Sequence, residues 1–117
     1  VSFGEGDVFD DENWLDLRRL DLIAPIMLAR LDTMAAKGCD AVEWDNADLQ
    51  EQSTTLPISL SLQMSYNRWL AGQTHARGMG VAMKNNNLAA SFHVADYDMV
   101  VVEECWIFGY CPNYVRR

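Results

Sequence analysis

Three apolar runs constrain this chain more than any other feature: Asp40–Glu43 (DAVE), Gly80–Lys84 (GVAMK) and Asp98–Glu103 (DMVVVE). None alternates polar with apolar residues, so each reads as a strand covered on both faces. Helical patterns lie between them. Ile23, Met27, Leu31 and Met34 recur at helical spacing between Leu22 and Lys37, with Asp21 as cap, Pro25 in the first turn and Gly38 as stop. Leu62, Tyr66, Trp69 and Leu70 line a second helix from Ser59 to Arg77 that Gly78 ends, with Tyr66 and Trp69 expected in the core, and a shorter helix is expected over Leu88–Val94. VSFG at the N-terminus reads as the tail of an earlier strand. Strands alternating with helices make βα units, and hence an α/β fold with a parallel sheet.

In such a sheet every strand ends on one side, and ligands bind there. The strand ends here are polar: Glu43 with Asp45, Lys84 with Asn85, Glu103 with Glu104. These residues should converge although they are far apart in sequence. The first group belongs to GCDAVEWDNAD, where Glu43, Asp45 and Asp48 surround the amide Asn46. The loop that follows, Ala47 to Ser59, is long for a βα connection, as expected of a binding surface. Two carboxylates facing each other across a cleft can hydrolyse a glycosidic bond, one as acid and the other as nucleophile or base. On pattern alone this signal is weak, and structural acids or a divalent-metal site remain open beside it.

Charge narrows the partners. The chain of 117 residues carries a formal net charge of −8, which speaks against nucleic acid; from charge alone it suits ordinary solubility more than a cationic substrate, with both readings open. No apolar run reaches the roughly 20 residues that span a bilayer, so no membrane partner is expected. No CxxC or HxxxH spacing supplies a zinc site, and no cofactor is implied. Of the three cysteines, Cys105 and Cys111 are spaced to close a short loop, with disulfide and free thiols both open, and Cys39 reads as a small buried hydrophobe.

The segments WLDLRRLDLIAPIMLARLD, KGCDAVEWDNAD, YNRWLAGQTHARGMGVAMKNN and EECWIFGYC occur in this order between Trp14 and Cys111. Together they resemble glycoside hydrolase family 114, the endo-α-1,4-polygalactosaminidases. The resemblance implies a TIM-like (β/α) barrel, a secreted enzyme and an aminosugar polysaccharide substrate. The family's Glu-Pro-Asp-Asn matches Glu43-Trp44-Asp45-Asn46, its Asn-Glu-Gln-Cys matches Val102-Glu103-Glu104-Cys105, and its Leu-Lys-Asn matches Met83-Lys84-Asn85. This implies Asp45 as nucleophile and Glu103 as acid/base of a retaining mechanism. Substrate contacts are expected from Glu43, Trp44, Asn46, Asp48, Lys84, Asn85 and Glu104. Trp44 stands in place of proline, Val102 in place of asparagine, and Asn86 where aspartate is common. Trp44 and Trp106 suit either packing or sugar stacking; Lys84 suits either pairing with an acid or a solvated strand end. His75, near a helix C-terminus, reads as structural, and His93 has no partner visible in sequence.

A whole barrel of this type takes about 250 residues. Residues 1–117 therefore read as the central part of one barrel domain. The alternative to an active glycosidase is a noncatalytic remnant or saccharide-binding fragment.

Overall fold

The computed structural model describes residues 14–45, 47–51, 56–88 and 95–115. The expected VSFG strand and most of the Leu88–Val94 helix, including His93, lie outside the described residues. Helix α1 spans Leu20–Ala36, strand β1 Ala41–Trp44, helix α2 Leu60–His75, strand β2 Gly80–Lys84, strand β3 Met99–Val101 and the short helix α3 Cys105–Phe108. The three strands are parallel, in the order β1-β2-β3, with Val42 beside Val81 and Met83 beside Val100.

Both long helices hand over to their strands in the same way. Gly38 and Gly78 take left-handed backbone conformations at φ 79° and 76°. Around them Gly38 N–H donates to Ala35 O and Cys39 N–H to Met34 O, while Gly78 N–H donates to His75 O and Met79 N–H to Thr74 O. This paired bonding uses carbonyls that a helix end otherwise leaves open. It delivers β1 three residues after Gly38 and β2 two residues after Gly78, and the strands pair from Ala41 beside Gly80.

The start of α1 differs from expectation. Asp16 accepts from Arg18 N–H and caps a 3-10 turn at Leu17–Arg19, which winds directly into the helix. The helix therefore begins before Asp21, whose carboxylate pairs with Arg19 instead, and Pro25 falls inside it rather than in its first turn. Ser59 caps α2 through Leu62 N–H. Ile23, Met27 and Leu31 of α1 meet Tyr66, Leu70 and Ala71 of α2, together with Val42, Trp44 and Val81, in one core, and Trp69 packs against it.

Only β2 is covered on both faces. In β1, Val42 and Trp44 are buried while Ala41 and Glu43 are exposed; in β3, Met99, Val100 and Val101 are all exposed. The expectation of three strands covered on both faces is therefore met by β2 alone of the three described strands. Cys39 is exposed rather than buried, because it directly follows the glycine that ends α1.

At the end of the sheet where the strands begin, Asp98 ties three elements together. Its Oδ2 accepts Val81 N–H at 2.8 Å and lies 2.8 Å from His75 Nε2. The bond with His75, then the one from Val81, hold this carboxyl below the usual aspartate range. A depressed carboxyl stabilises the fold above its unfolded-state pKa, and that contribution vanishes as acid protonates it. Asp98→Asn is accordingly expected to lower the urea midpoint at neutral pH, with the deficit closing as pH falls through and below the usual aspartate range. A deficit that stayed constant down to pH 2 would show that the charge of Asp98 is not what matters.

Candidate active site

Side-chain alternation brings the site together. Glu43 pairs with Ala82 and Lys84 with Val101, so Glu43 and Lys84 share a sheet face opposite Val42, Trp44, Val81 and Met83. Asp45 and Glu103 follow the same period just past their strands. Their carboxylates meet at one ammonium: Lys84 Nζ lies 3.2 Å from Asp45 Oδ1, 3.5 Å from Glu103 Oε2 and 3.8 Å from Glu43 Oε1. The lysine side chain is 10% exposed, whereas those of the three acids are 43% to 62% exposed. Burial by itself pulls Lys84 down, but Asp45 and Glu103 together outweigh it and hold the ammonium above the usual lysine range. It is therefore charged throughout the neutral range.

Of the two readings of Lys84, pairing is the one the structure adopts. Asn85 also joins the group: it accepts Glu103 N–H at 2.9 Å and donates to Glu103 Oε2 at 3.3 Å. Glu104 is exposed, in a left-handed corner at φ 54° before α3. Asp48 is buried at the start of the loop after β1. Asn46 lies outside the described residues. Trp44, expected at the substrate, is turned the other way. It is 6% exposed, and its indole N–H donates to Thr74 Oγ1 at 3.2 Å inside the core. One residue before Asp45 on a strand must face opposite to it, so the alternation that aims Asp45 outward aims Trp44 inward. Trp106, by contrast, is 90% exposed.

Behind the acids runs a buried polar network. Ala47 O accepts from both Asn67 Nδ2 and Asn86 Nδ2, each at 2.8 Å. Gln63 donates to Asn67 and accepts Leu49 N–H, and Gln50 donates to Asn86. The network fixes the loop after Asp45 to α2 on one side and to the end of β2 on the other. Gln63 and Asn67 were missed in sequence because their helix was read for its apolar stripe; two amides one turn apart within that stripe were the available signal. Asn85 and Asn86 are both left-handed, at φ 50° and 60°, a conformation asparagine tolerates better than most residues. The chain past Glu103 is held by a Cys105–Cys111 disulfide, which resolves the open pairing.

Residues 3–116 match glycoside-hydrolase family GH114, and the chain belongs to that family. It is similar in structure to Aspergillus fumigatus Ega3, solved in complex with galactosamine, with 30% sequence identity and a TM-score of 0.90. That match covers 97% of this chain and 45% of the other, so the chain spans less than half the length of the structure it resembles. No curated protein matches it. The family resemblance read from sequence is borne out, and the parallel strands with their helices form part of a TIM-like (β/α) barrel.

Two outcomes follow from this geometry. The chain has two lysines, Lys37 and Lys84. An amine-acetylating reagent at pH 8 should modify exposed Lys37 at least roughly tenfold faster than Lys84, which is buried and held protonated; equal labelling by mass spectrometry would mean that the ion cluster does not form. Asn86→Asp removes the donor to Ala47 O and sets a carboxylate against a buried carbonyl. A loss of about 1–3 kcal/mol in urea denaturation is expected at pH 7, shrinking at pH 4 as the new acid gains a proton to donate.

Proposed function

We propose that this chain carries the acid pair of a secreted, retaining glycosidase acting on α-1,4-linked galactosamine polymers. The observation that supports it is the meeting of Asp45 and Glu103 on Lys84. With the ammonium 3.2 Å and 3.5 Å from their nearest oxygens, those two oxygens are no more than about 7 Å apart, a span that includes the roughly 5–5.5 Å of retaining pairs. Glu103 donates its proton to the glycosidic oxygen while an Asp45 oxygen attacks the anomeric carbon. The C–O bond to the leaving sugar breaks, and a glycosyl ester forms on Asp45. Glu103, now ionised, takes a proton from water, whose oxygen displaces Asp45. Lys84 is nearer to Asp45, at 3.2 Å against 3.5 Å for Glu103, and places its positive charge beside the attacking carboxylate. Galactosamine units carry a cationic amine at neutral pH, which suits both the net charge of −8 and the acid-rich rim.

A second reading, saccharide binding without turnover, is favoured by the exposed β3 strand and by the 59% and 62% exposure of the Asp45 and Glu103 side chains, since water weakens charge stabilisation in a cleft. Reducing ends released from polygalactosamine, measured beside binding of the same polymer, separate the two. Release that survives a strong chelator supports the glycosidase; binding without release supports the second reading.

Variants assign the roles. Glu103→Gln should lower polymer turnover by about 10²–10⁴-fold and still form the glycosyl ester from a substrate with an activated leaving group, where it stalls for want of a base. Asp45→Asn should form no ester with either substrate. Near-normal turnover by Asp45→Asn, or the opposite behaviour of the two variants, would overturn the assignment.

A further inference from the structure

We propose that Asn85 and Tyr110 are positioning residues that clamp Glu103, with the Cys105–Cys111 disulfide holding the Tyr110 arm. The inference rests on the reading of Glu103 as the acid/base. Glu103 lies beyond the last residue of β3 and its side chain is 62% exposed, so neither the strand ladder nor the core restrains it. Both of its backbone polar groups and one carboxylate oxygen are nevertheless engaged. Its N–H donates to Asn85 Oδ1 at 2.9 Å, its Oε2 accepts from Asn85 Nδ2 at 3.3 Å, and its carbonyl accepts the Tyr110 hydroxyl at 2.9 Å. One asparagine thus grips both the backbone and the carboxylate of the same glutamate, and a tyrosine takes the remaining backbone group.

Each arm is anchored in turn. Asn85 donates its own N–H to Val101 O at 2.9 Å, carrying the β2–β3 pairing one step past β2, and then turns left-handed at φ 50°. Tyr110 donates its N–H to Cys105 O at 3.1 Å and is followed by Cys111, whose disulfide to Cys105 closes the loop. Its ring lies 6.1 Å from that of Phe108, nearly parallel, and 6.1 Å from that of Tyr114. The chemical need is plain. A general acid must reach within about 2.6–3.2 Å of the oxygen it protonates. A long exposed side chain loses conformational entropy when fixed there, and contacts made before substrate arrives remove that loss from the reaction step.

The test uses Asn85→Gly, which keeps the left-handed backbone and deletes the grip, and Tyr110→Phe, which keeps the ring and deletes the hydroxyl. Each is expected to lower kcat on the polymer by about 10- to 100-fold with KM changed less than about twofold. Asn85→Asp retains an acceptor for the Glu103 N–H but sets carboxylate against carboxylate; it should restore protection of that amide and leave kcat low. Two readouts need no turnover. Hydrogen exchange of the Glu103 amide should accelerate in Asn85→Gly, and the Glu103 carbonyl ¹³C resonance should move upfield in Tyr110→Phe. A raised KM at unchanged kcat in Asn85→Gly would make Asn85 a substrate contact and overturn its positioning role. Unchanged kcat in Tyr110→Phe would remove Tyr110. If the chain releases no reducing ends, the glycosidase reading fails by itself. The two spectroscopic readouts then decide the clamp: altered exchange and shift support it, and unaltered values overturn it.

Discussion

The site depends on a lysine placed where burial alone would discourage a charge. Lys84 ends the central strand, the one most enclosed by neighbours. Taking an ammonium out of water is unfavourable by several kcal/mol unless partners replace its hydration. Three carboxylates do so, and they come from both flanking strands: Glu43 and Asp45 by way of β1, Glu103 by way of β3. The acids in turn are tolerable at such close quarters because the cation stands between them. The ammonium and the acids therefore stabilise one another, and only a parallel sheet with Lys84 in the middle puts all four on one face.

The two ends of the sheet are used differently. Where the strands begin, Asp98 joins α2, β2 and β3, and Arg77 pairs with Asp32 across the two long helices. Those ties hold the layers together. Where the strands end, the polar groups serve position more than cohesion. Asn85, Asn86 and Glu104 take left-handed conformations that cost on the order of 1 kcal/mol or more for residues other than glycine. Asn86 recovers this with two hydrogen bonds at 2.8 Å in a fully buried setting, and Asn85 with its hold on Glu103. The strained Glu104 and the disulfide directly follow Glu103 in the chain, strained Asn85 bonds to Glu103, and the buried amides of Asn67 and Asn86 hold Ala47, two residues after Asp45.

What could be read in sequence follows from which interactions are local. Helix stops at Gly38 and Gly78 were legible because a left-handed residue after a helix nearly requires glycine. The convergence of Asp45, Lys84 and Glu103 was legible because parallel strands share an exit side. Trp44 stayed open between packing and sugar contact because the family motif gives a residue's neighbours but not its face; strand parity gives the face and selects packing. Pro25 was misplaced because the Asp16 cap, with a 3-10 turn behind it, set the helix start earlier than the proline suggested. The Gln63–Asn67–Ala47–Asn86 network was illegible because its partners are brought together only by the packing of α2 on the sheet.

Net charge gains a local meaning in this arrangement. Three carboxylates share one ammonium, so the ionised cluster keeps a surplus of negative charge at the strand ends. A neutral sugar would leave that surplus to be satisfied by water and small cations. An amine-bearing sugar supplies the missing charge itself, and its attraction is strongest where the acids are least screened by solvent. The same surplus sets a limit on the chemistry. Two acids at nearly the same distance from one cation share it, and neither has a counter-charge to itself. The surroundings of the two acids differ. Asp45 is the nearer to Lys84, whereas Glu103 is also gripped by Asn85, whose amide oxygen and nitrogen are shared between the Glu103 backbone and carboxylate. An amide donor bonds to a protonated carboxyl as well as to an ionised one, so the hold of Asn85 on Glu103 does not depend on the charge of that carboxyl.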